Sequence, residues 1–254
     1  MARSAKMSNA IRAELDKLAL AHRILEMEGH GDKTLGHMSW RDPAGRGLWL
    51  KRKAISLGET MDADDFILLD LDGNKLAGAG EAHNEWPIHS EILRNRTEIN
   101  VVAHTHPQHC CVFSATSETL RPVAIEGGYF HPGVPYFTGS AELINTAPLG
   151  RALAQALGPA ALAVFMKNHG VTFCGTSTEH CTVIGICLEI ACRQQLMVGA
   201  SGFKWSWPDE AGMEKRGPQT MHAAFIERSW GFYRRKLAWF EDDKTVQTKG
   251  FYRL

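Results

Sequence analysis

Apolar residues recur at helical spacing over positions 8 to 28, where Ile11, Leu15, Leu18, Ala19, Ile24 and Leu25 share a face and Gly29 and Gly31 mark an end. The pattern then shortens. Leu48 to Arg52 and Phe66 to Leu71 read as strands, the second running into a hairpin-type turn at Leu71-Asp72-Gly73-Asn74. Past a Gly-rich segment, 73 to 80, Asn84 reads as an N-cap and Pro87 as a first-turn residue of a helix reaching about Arg94. Asn100 to His104 reads as a strand, and a short helix resumes after Pro107. Residues 117 to 140 are rich in Gly, Pro and aromatics and carry little periodicity. Ala147 to Leu157 reads as a helix, and Ala161 to Met166 and Val171 to Cys174 as two strands around Asn168-His169-Gly170. Thr176-x-x-Glu179 has the form of a capping box before a long apolar helix to about Val198. Residues 199 to 218 read as a loop, and Met221 to Phe240 as a last helix carrying Trp230, Tyr233 and Trp239. Strands and helices are mixed, with no repeat and no linker, so the expectation is one α/β domain over 1–254, a sheet between helical layers.

Composition narrows the partners. Twenty-eight basic residues balance 28 acidic ones in 254, so no net field steers the chain toward nucleic acid or a membrane surface. No apolar run is read as approaching the ~20 residues of a membrane span. The start, Met1 to Met7, is basic but lacks the apolar core of a secretory signal, and a cytoplasmic protein is expected. The six cysteines include no Cys-x-x-Cys pair and are expected to be buried free thiols.

The chemistry concentrates in three histidines. His104 and His106, at i and i+2 at the end of an apolar strand, leave the same face of an extended chain. His169 follows a second apolar run. Three neutral imidazoles converging from two strand ends make a tripod for a divalent metal with positions left open for water or substrate. A lone histidine at a strand end is usually a hydrogen-bonding residue; the His-Thr-His pair with Asn-His-Gly moves the balance toward metal. Glu85 sits at an expected helix start, where the dipole favours a carboxylate, and from the residues alone a capping acid is the ordinary reading. His22, His30, His89, His131, His180 and His222 have no distinguishing spacing, whereas His109 is placed to support the tripod from behind. Lys53, Glu59, Asp64 and Asp65 read as solvated charges.

Taken together, Gly36-His37-Met38-Ser39-Trp40-Arg41, Asn84-Glu85-Trp86-Pro87-Ile88-His89, Val102-Ala103-His104-Thr105-His106-Pro107 and Asn168-His169-Gly170 resemble, in order and spacing, the class II aldolase/adducin family over about residues 10 to 200. The resemblance implies a three-layer α/β/α sandwich with a central, mainly antiparallel sheet. It also implies a homotetramer with the site near a subunit interface, where the C-terminal helix and tail, 219–254, are placed. It implies metal on His104, His106 and His169, and Glu85 as catalytic acid/base. Phosphosugar enzymes of this family carry Gly-Asn where this chain has Gly36-His37, Ser-Ser where it has His83-Asn84, and a Ser-Gly loop where it has Leu57-Gly58. Bulky His and Leu close that phosphate nest. The Gly-His-x-Ser-x-Arg form looks more like the branch that decarboxylates hydroxylated aromatic or pyridine dicarboxylates.

The expected function is therefore a metal-dependent lyase that decarboxylates such a dicarboxylate through a metal-stabilised, enolate-like intermediate. Glu85, or a histidine such as His37 beside it, delivers the proton to carbon. Arg41 is expected to bind a second carboxylate through a bidentate fork, helped by Ser39, His37 and His83. The metal is zinc, manganese, cobalt or iron(II), no organic cofactor is expected, and the partner is a small anionic substrate. Tyr129, Tyr136 or Tyr233 could be supplied by a neighbouring subunit. The alternatives are an aldolase acting on a non-phosphorylated 2-oxo acid or sugar acid, and a non-catalytic adducin-like interaction module.

Overall fold

The computed structural model describes residues 7–140 and 142–242; the basic start (1–6) and the last part of the expected tail (243–254) lie outside them. Alternation of side chains builds the molecule. Eight strands form one sheet in the order β4-β3-β2-β1-β5-β8-β7-β6. They are β1 (His37–Arg41), β2 (Leu48–Lys51), β3 (Phe66–Leu69), β4 (Lys75–Ala77), β5 (Val101–Thr105), β6 (Tyr136–Phe137), β7 (Ala163–Met166) and β8 (Gly170–Gly175). Every pairing is antiparallel except β6 with β7.

Both faces of the sheet are covered, and each owns a core. Met38, Trp49, Phe66, Val101, Ala103, Phe165, Val171 and Phe173 point to one face, where α1 (Asn9–Leu25), α3 (Gln108–Ala115), α5 (Thr178–Ala200) and α7 (Ala223–Asp242) pack. The next residues along the same strands, Leu48, Leu50, Ile67, Val102, Val164 and Cys174, point to the other face, under α2 (Trp86–Asn95) and α4 (Ala147–Leu157). The period of two that sorts these residues also sorts the chemistry, because a one-residue slip would exchange the faces. His37, Ser39 and His104 emerge on the α2 side; Thr105 emerges on the α1–α5 side, where its hydroxyl meets His30 Nδ1 at 2.9 Å.

The three-layer α/β/α expectation holds, with differences of detail. β1 is not among the expected strands, although its residues alternate polar and apolar as a strand's do; its polar positions His37 and Ser39 are buried as well. Helix α2 is capped at Glu85 rather than Asn84, with Pro87 in its first turn as expected. Helix α5 is capped by Ser177, whose Oγ accepts from the His180 amide, one residue beyond the expected Thr176. Its 23 residues are long and apolar enough to cross a membrane by length and composition, which the reading of apolar runs overlooked. Its burial among α1, α3, α7 and β8 makes it the central core helix. The expected loop 199–218 is overturned in its second half by α6 (Glu210–Thr220), which Asp209 caps by accepting from the Gly212 amide. All six cysteines are free, five of them buried.

Candidate metal centre and the histidine cluster beside it

His104 ends β5, His106 follows it, and His169 lies in the tight turn between β7 and β8. In that turn Asn168 has φ 58° and the His169 amide donates to the Met166 carbonyl at 3.0 Å. Gly170 is required by contact: a Cβ there would stand 2.5 Å from His106 Cδ2 and 2.8 Å from the Thr105 carbonyl oxygen. β5 and β8 pair side by side, so this turn is delivered directly beside the end of β5. The three rings sit 4.7, 5.0 and 5.2 Å apart, and one ligand-type atom from each lies within 4.8 Å of the others.

The protonation of the pair follows from its outer contacts. His104 Nδ1 donates to the Val171 carbonyl at 3.1 Å, leaving its Nε2 a lone pair. His106 Nδ1 lies 3.2 Å from the Asp32 carboxylate, close enough to hold a proton there although poorly aligned for a full hydrogen bond. The two Nε2 atoms face each other at 3.1 Å. Two lone pairs at that distance repel unless a cation lies between them, so the donor set fits a divalent metal ion. Burial, followed by the neighbouring imidazoles, holds His104 well below the usual histidine range, and His106 is lowered by burial first and His169 second. Both are held in the neutral form at physiological pH.

Glu85 stands over this tripod at the N-terminus of α2. It is 3 % exposed, with Oε2 3.6 Å from His104 Nε2 and Oε1 4.0 Å from His169 Nε2. Oε1 also accepts from the Ile144 amide at 3.0 Å. Burial raises its pKa, against the Ile144 hydrogen bond and His169, which lower it. A buried carboxyl with a raised pKa, within 4.0 Å of two of the tripod nitrogens, suits proton transfer. A cavity of about 430 Å³ opens beside it, lined by His83, Asn84, Trp86, Asn145 and Thr146.

The structure gathers His37 and His83 on the other side of Glu85: their rings are 3.9 Å apart, and one ligand-type atom from each lies within 4.8 Å of the Glu85 carboxylate. Two of the expected substrate contacts are corrected. Arg41 donates to the Leu93, Arg96 and Ile99 carbonyls at 2.8 to 3.0 Å, so its fork closes the C-terminal end of α2. A ten-residue helix is about 15 Å long, which separates Arg41 from Glu85 at the other end. Ser39 is fully buried, and its Oγ lies 2.8 Å from His89 Nδ1 rather than facing open space. Tyr129 and Tyr136 donate to carbonyls of their own chain, at Thr220 and Glu118, and Tyr233 packs against the α5-side core.

Three neighbours of the site are not singled out by their spacing. His89, set aside as an ordinary core histidine, links Ser39 to His37, with His89 Nε2 2.7 Å from His37 Nδ1. Burial pushes its pKa down to about 3. Asp32 reaches His106 because α1 ends in a wide turn, Glu26–His30, in which Gly29 takes φ 88°. Glu189 on α5 accepts from the His109 and Cys110 amides and meets His109 Nδ1 at 2.6 Å, clamping the start of α3 behind His106. His109 thus supports the loop of the tripod, as its position implied.

Comparison with known proteins agrees with this geometry. A 3,4-dihydroxyphthalate decarboxylase from Arthrobacter keyseri is 30% identical over 199 residues, 74% of this chain and 79% of its own. An L-fuculose phosphate aldolase from Methanococcus maripaludis is 28% identical over 144 residues, 55% of this chain and 72% of its own. An aldolase II superfamily protein from Pseudomonas syringae has the same fold, with a TM-score of 0.81 over 91% of this chain and 94% of that one at 24% identity. The sequence pattern of one family spans residues 16–196, from the middle of α1 to the last turns of α5, and so includes every residue of the tripod and of the cluster around Glu85. The chain belongs to that family, the Class II Aldolase and Adducin N-terminal domain.

Proposed function

We propose that this protein is a carbon–carbon lyase, metal-dependent, that decarboxylates a hydroxylated aromatic or heteroaromatic dicarboxylate. The observation that carries the reading is the proximity of Glu85 to two sets of imidazoles, the His104–His106–His169 tripod and the His37–His83 pair. A divalent cation on the tripod, whether zinc, manganese, cobalt or iron(II), supplies Lewis-acid stabilisation of the negative charge left as carbon dioxide departs. Glu85, kept protonated more readily by its burial, gives its proton to the carbon that lost the carboxylate. His37 Nε2 and His83 Nδ1 are buried without a protein partner, and the two histidines cluster with Glu85, where they bind the second carboxylate. The decarboxylase relative, at 30% identity over most of both chains, supports this substrate class.

The family's aldolases use the same carbanion chemistry, so an aldolase on a non-phosphorylated acid is the second reading, favoured by the 28% identity to an L-fuculose phosphate aldolase. A phosphorylated substrate fits less well, because the buried Leu57 fills the space over Gly36, within 3.1 Å of where a Cβ there would lie. The tripod and Glu85 are intact, which argues against a non-catalytic adducin-like module. The proposal extends to a cytoplasmic homotetramer with α7 at an interface, where Phe232 and Trp239 are 52% and 69% exposed.

The test is release of carbon dioxide from dihydroxyphthalates, hydroxypyridine dicarboxylates and 4-hydroxy-2-oxo acids, with and without chelator. Chelator-sensitive release from an aromatic dicarboxylate supports the decarboxylase. Pyruvate without carbon dioxide moves the protein to the aldolase reading.

A further inference from the structure

Ser39, His89 and His37 form a continuous buried chain. Ser39 Oγ and His89 Nδ1 are 2.8 Å apart, His89 Nε2 and His37 Nδ1 2.7 Å apart, and all three residues are fully buried. The chain ends at His37, whose Nε2 is buried without a protein partner and which clusters with His83 and Glu85, one ligand-type atom of each lying within 4.8 Å of the others. A chain of imidazoles transmits orientation, because each neutral ring carries one proton. If one end is fixed, every other proton in the chain is fixed with it.

The serine fixes the end. Among the described residues, His89 Nδ1 is the only partner of Ser39 Oγ. A buried hydroxyl with a single partner must give its hydrogen to that partner or leave it unsatisfied, at a cost of about 1–3 kcal/mol. Ser39 therefore donates to His89 Nδ1, His89 Nε2–H donates to His37 Nδ1, and His37 carries its own proton on Nε2. The Val102 carbonyl also lies beside His89 and pulls the other way. The close hydrogen-bond contacts of the His89 ring nitrogens, at 2.8 and 2.7 Å, are nevertheless to Ser39 Oγ and His37 Nδ1.

We infer that Ser39 and His89 are positioning residues that hold His37 as an Nε2–H donor, and that this donor takes an oxygen of the substrate's second carboxylate. The inference rests on the decarboxylase reading for the identity of the substrate, but not for the orientation of the chain. It also separates two clusters that look alike. His37, His83 and Glu85 have the composition of a second cation site, yet a protonated Nε2 cannot ligate a cation. The tripod binds metal and the neighbouring cluster binds an anion.

Three readouts test this. In uniformly nitrogen-labelled wild-type protein, His37 must show a protonated Nε2 and an unprotonated Nδ1; the reverse tautomer overturns the inference whatever the substrate proves to be. Metal analysis after saturation with zinc must give one ion per chain, and two overturn it. In kinetics with a dihydroxyphthalate, Ser39→Ala should raise KM about tenfold and lower kcat less than threefold, because a binding contact to a charged group is weakened. Ser39→Thr, which keeps the hydroxyl, should bring KM back within about twofold of wild type. With a dihydroxybenzoate, which lacks the second carboxylate, the Ser39→Ala effect on KM should vanish. An unchanged KM for the dicarboxylate in Ser39→Ala, or equal loss in Ala and Thr, overturns the positioning role. If no aromatic dicarboxylate reacts at all, the functional reading fails, while the nitrogen spectrum still decides the orientation of the chain.

Discussion

The Nε2 atoms of His104 and His106 face each other at 3.1 Å, with the Val171 carbonyl bonded to the Nδ1 of the first and the Asp32 carboxylate 3.2 Å from the Nδ1 of the second. With both protons on the far side, the two nitrogens would offer their lone pairs to one cation, and the residues around them would divide into those that hold it and those that act beside it.

Glu85→Gln and His106→Ala separate those two roles. The Gln variant should retain one metal ion per chain and lose at least about a hundredfold in turnover, the usual scale for an acid/base residue. The Ala variant should lose metal and turnover together. Metal content by elemental analysis beside carbon dioxide release is the measurement, and near-full activity in Glu85→Gln would show that another group moves the proton.

Asp32 should matter to the metal and not to the fold. It is partly exposed on a turn and its carboxylate faces His106 Nδ1. Asp32→Asn is expected to weaken zinc affinity about 10- to 100-fold, the range seen when the outer partner of a ligating histidine is removed. Competition with a chromophoric chelator reads this directly. Unchanged affinity would mean that the Val171 and glycine-turn contacts orient the site unaided.

Arg41 should matter to the fold and not to the substrate. Its three carbonyl acceptors lie at the far end of α2, so Arg41→Met leaves several partly buried acceptors without a donor. A loss of about 1–3 kcal/mol in urea unfolding is expected, with KM for a dicarboxylate within twofold of wild type. A large KM effect at normal stability would return Arg41 to the substrate.

Acid should destabilise the metal-free protein early. Burial, the largest cause in each case, pushes His22 and His89 down to about 3 and His30 to about 4. Unfolded, each takes a proton near pH 6.5; folded, none does until well below that. The unfolded state thus binds more protons below 6.5, and stability present above that pH is lost as pH falls toward 3 to 4. Each histidine adds a slope of up to about 1.4 kcal/mol per pH unit. Urea midpoints at pH 7, 6 and 5 measure the sum, and a flat profile in this window would rule out buried neutral histidines.

Much of this was visible in the residues and some was not, for identifiable reasons. His104 and His106 could be placed on one face from the period of two, and Gly170 signalled the turn that brings His169 across. β1 alternates polar and apolar residues and was legible as a strand, but the burial of its polar face under α2, where His37 and Ser39 meet His89 rather than water, was not. His89 itself pairs with residues about fifty positions away, beyond the reach of any local pattern. Arg41 looked like a substrate fork because an arginine's five donors suit a carboxylate and the end of a helix equally well; only the position of α2 decides between them. Helix α6 was hidden by Gly212, Gly217 and Pro218, each a poor helix former.

The pairing of β5 with β8 joins residues separated by 67 positions, since His104 Nδ1 bonds to Val171. The tripod therefore does not exist until that long loop has closed. An ion that needs all three ligands is expected to bind only once that pairing has formed. Its grip should leave the folding rate nearly untouched and slow unfolding instead, so that the metal acts as a latch on a door already shut.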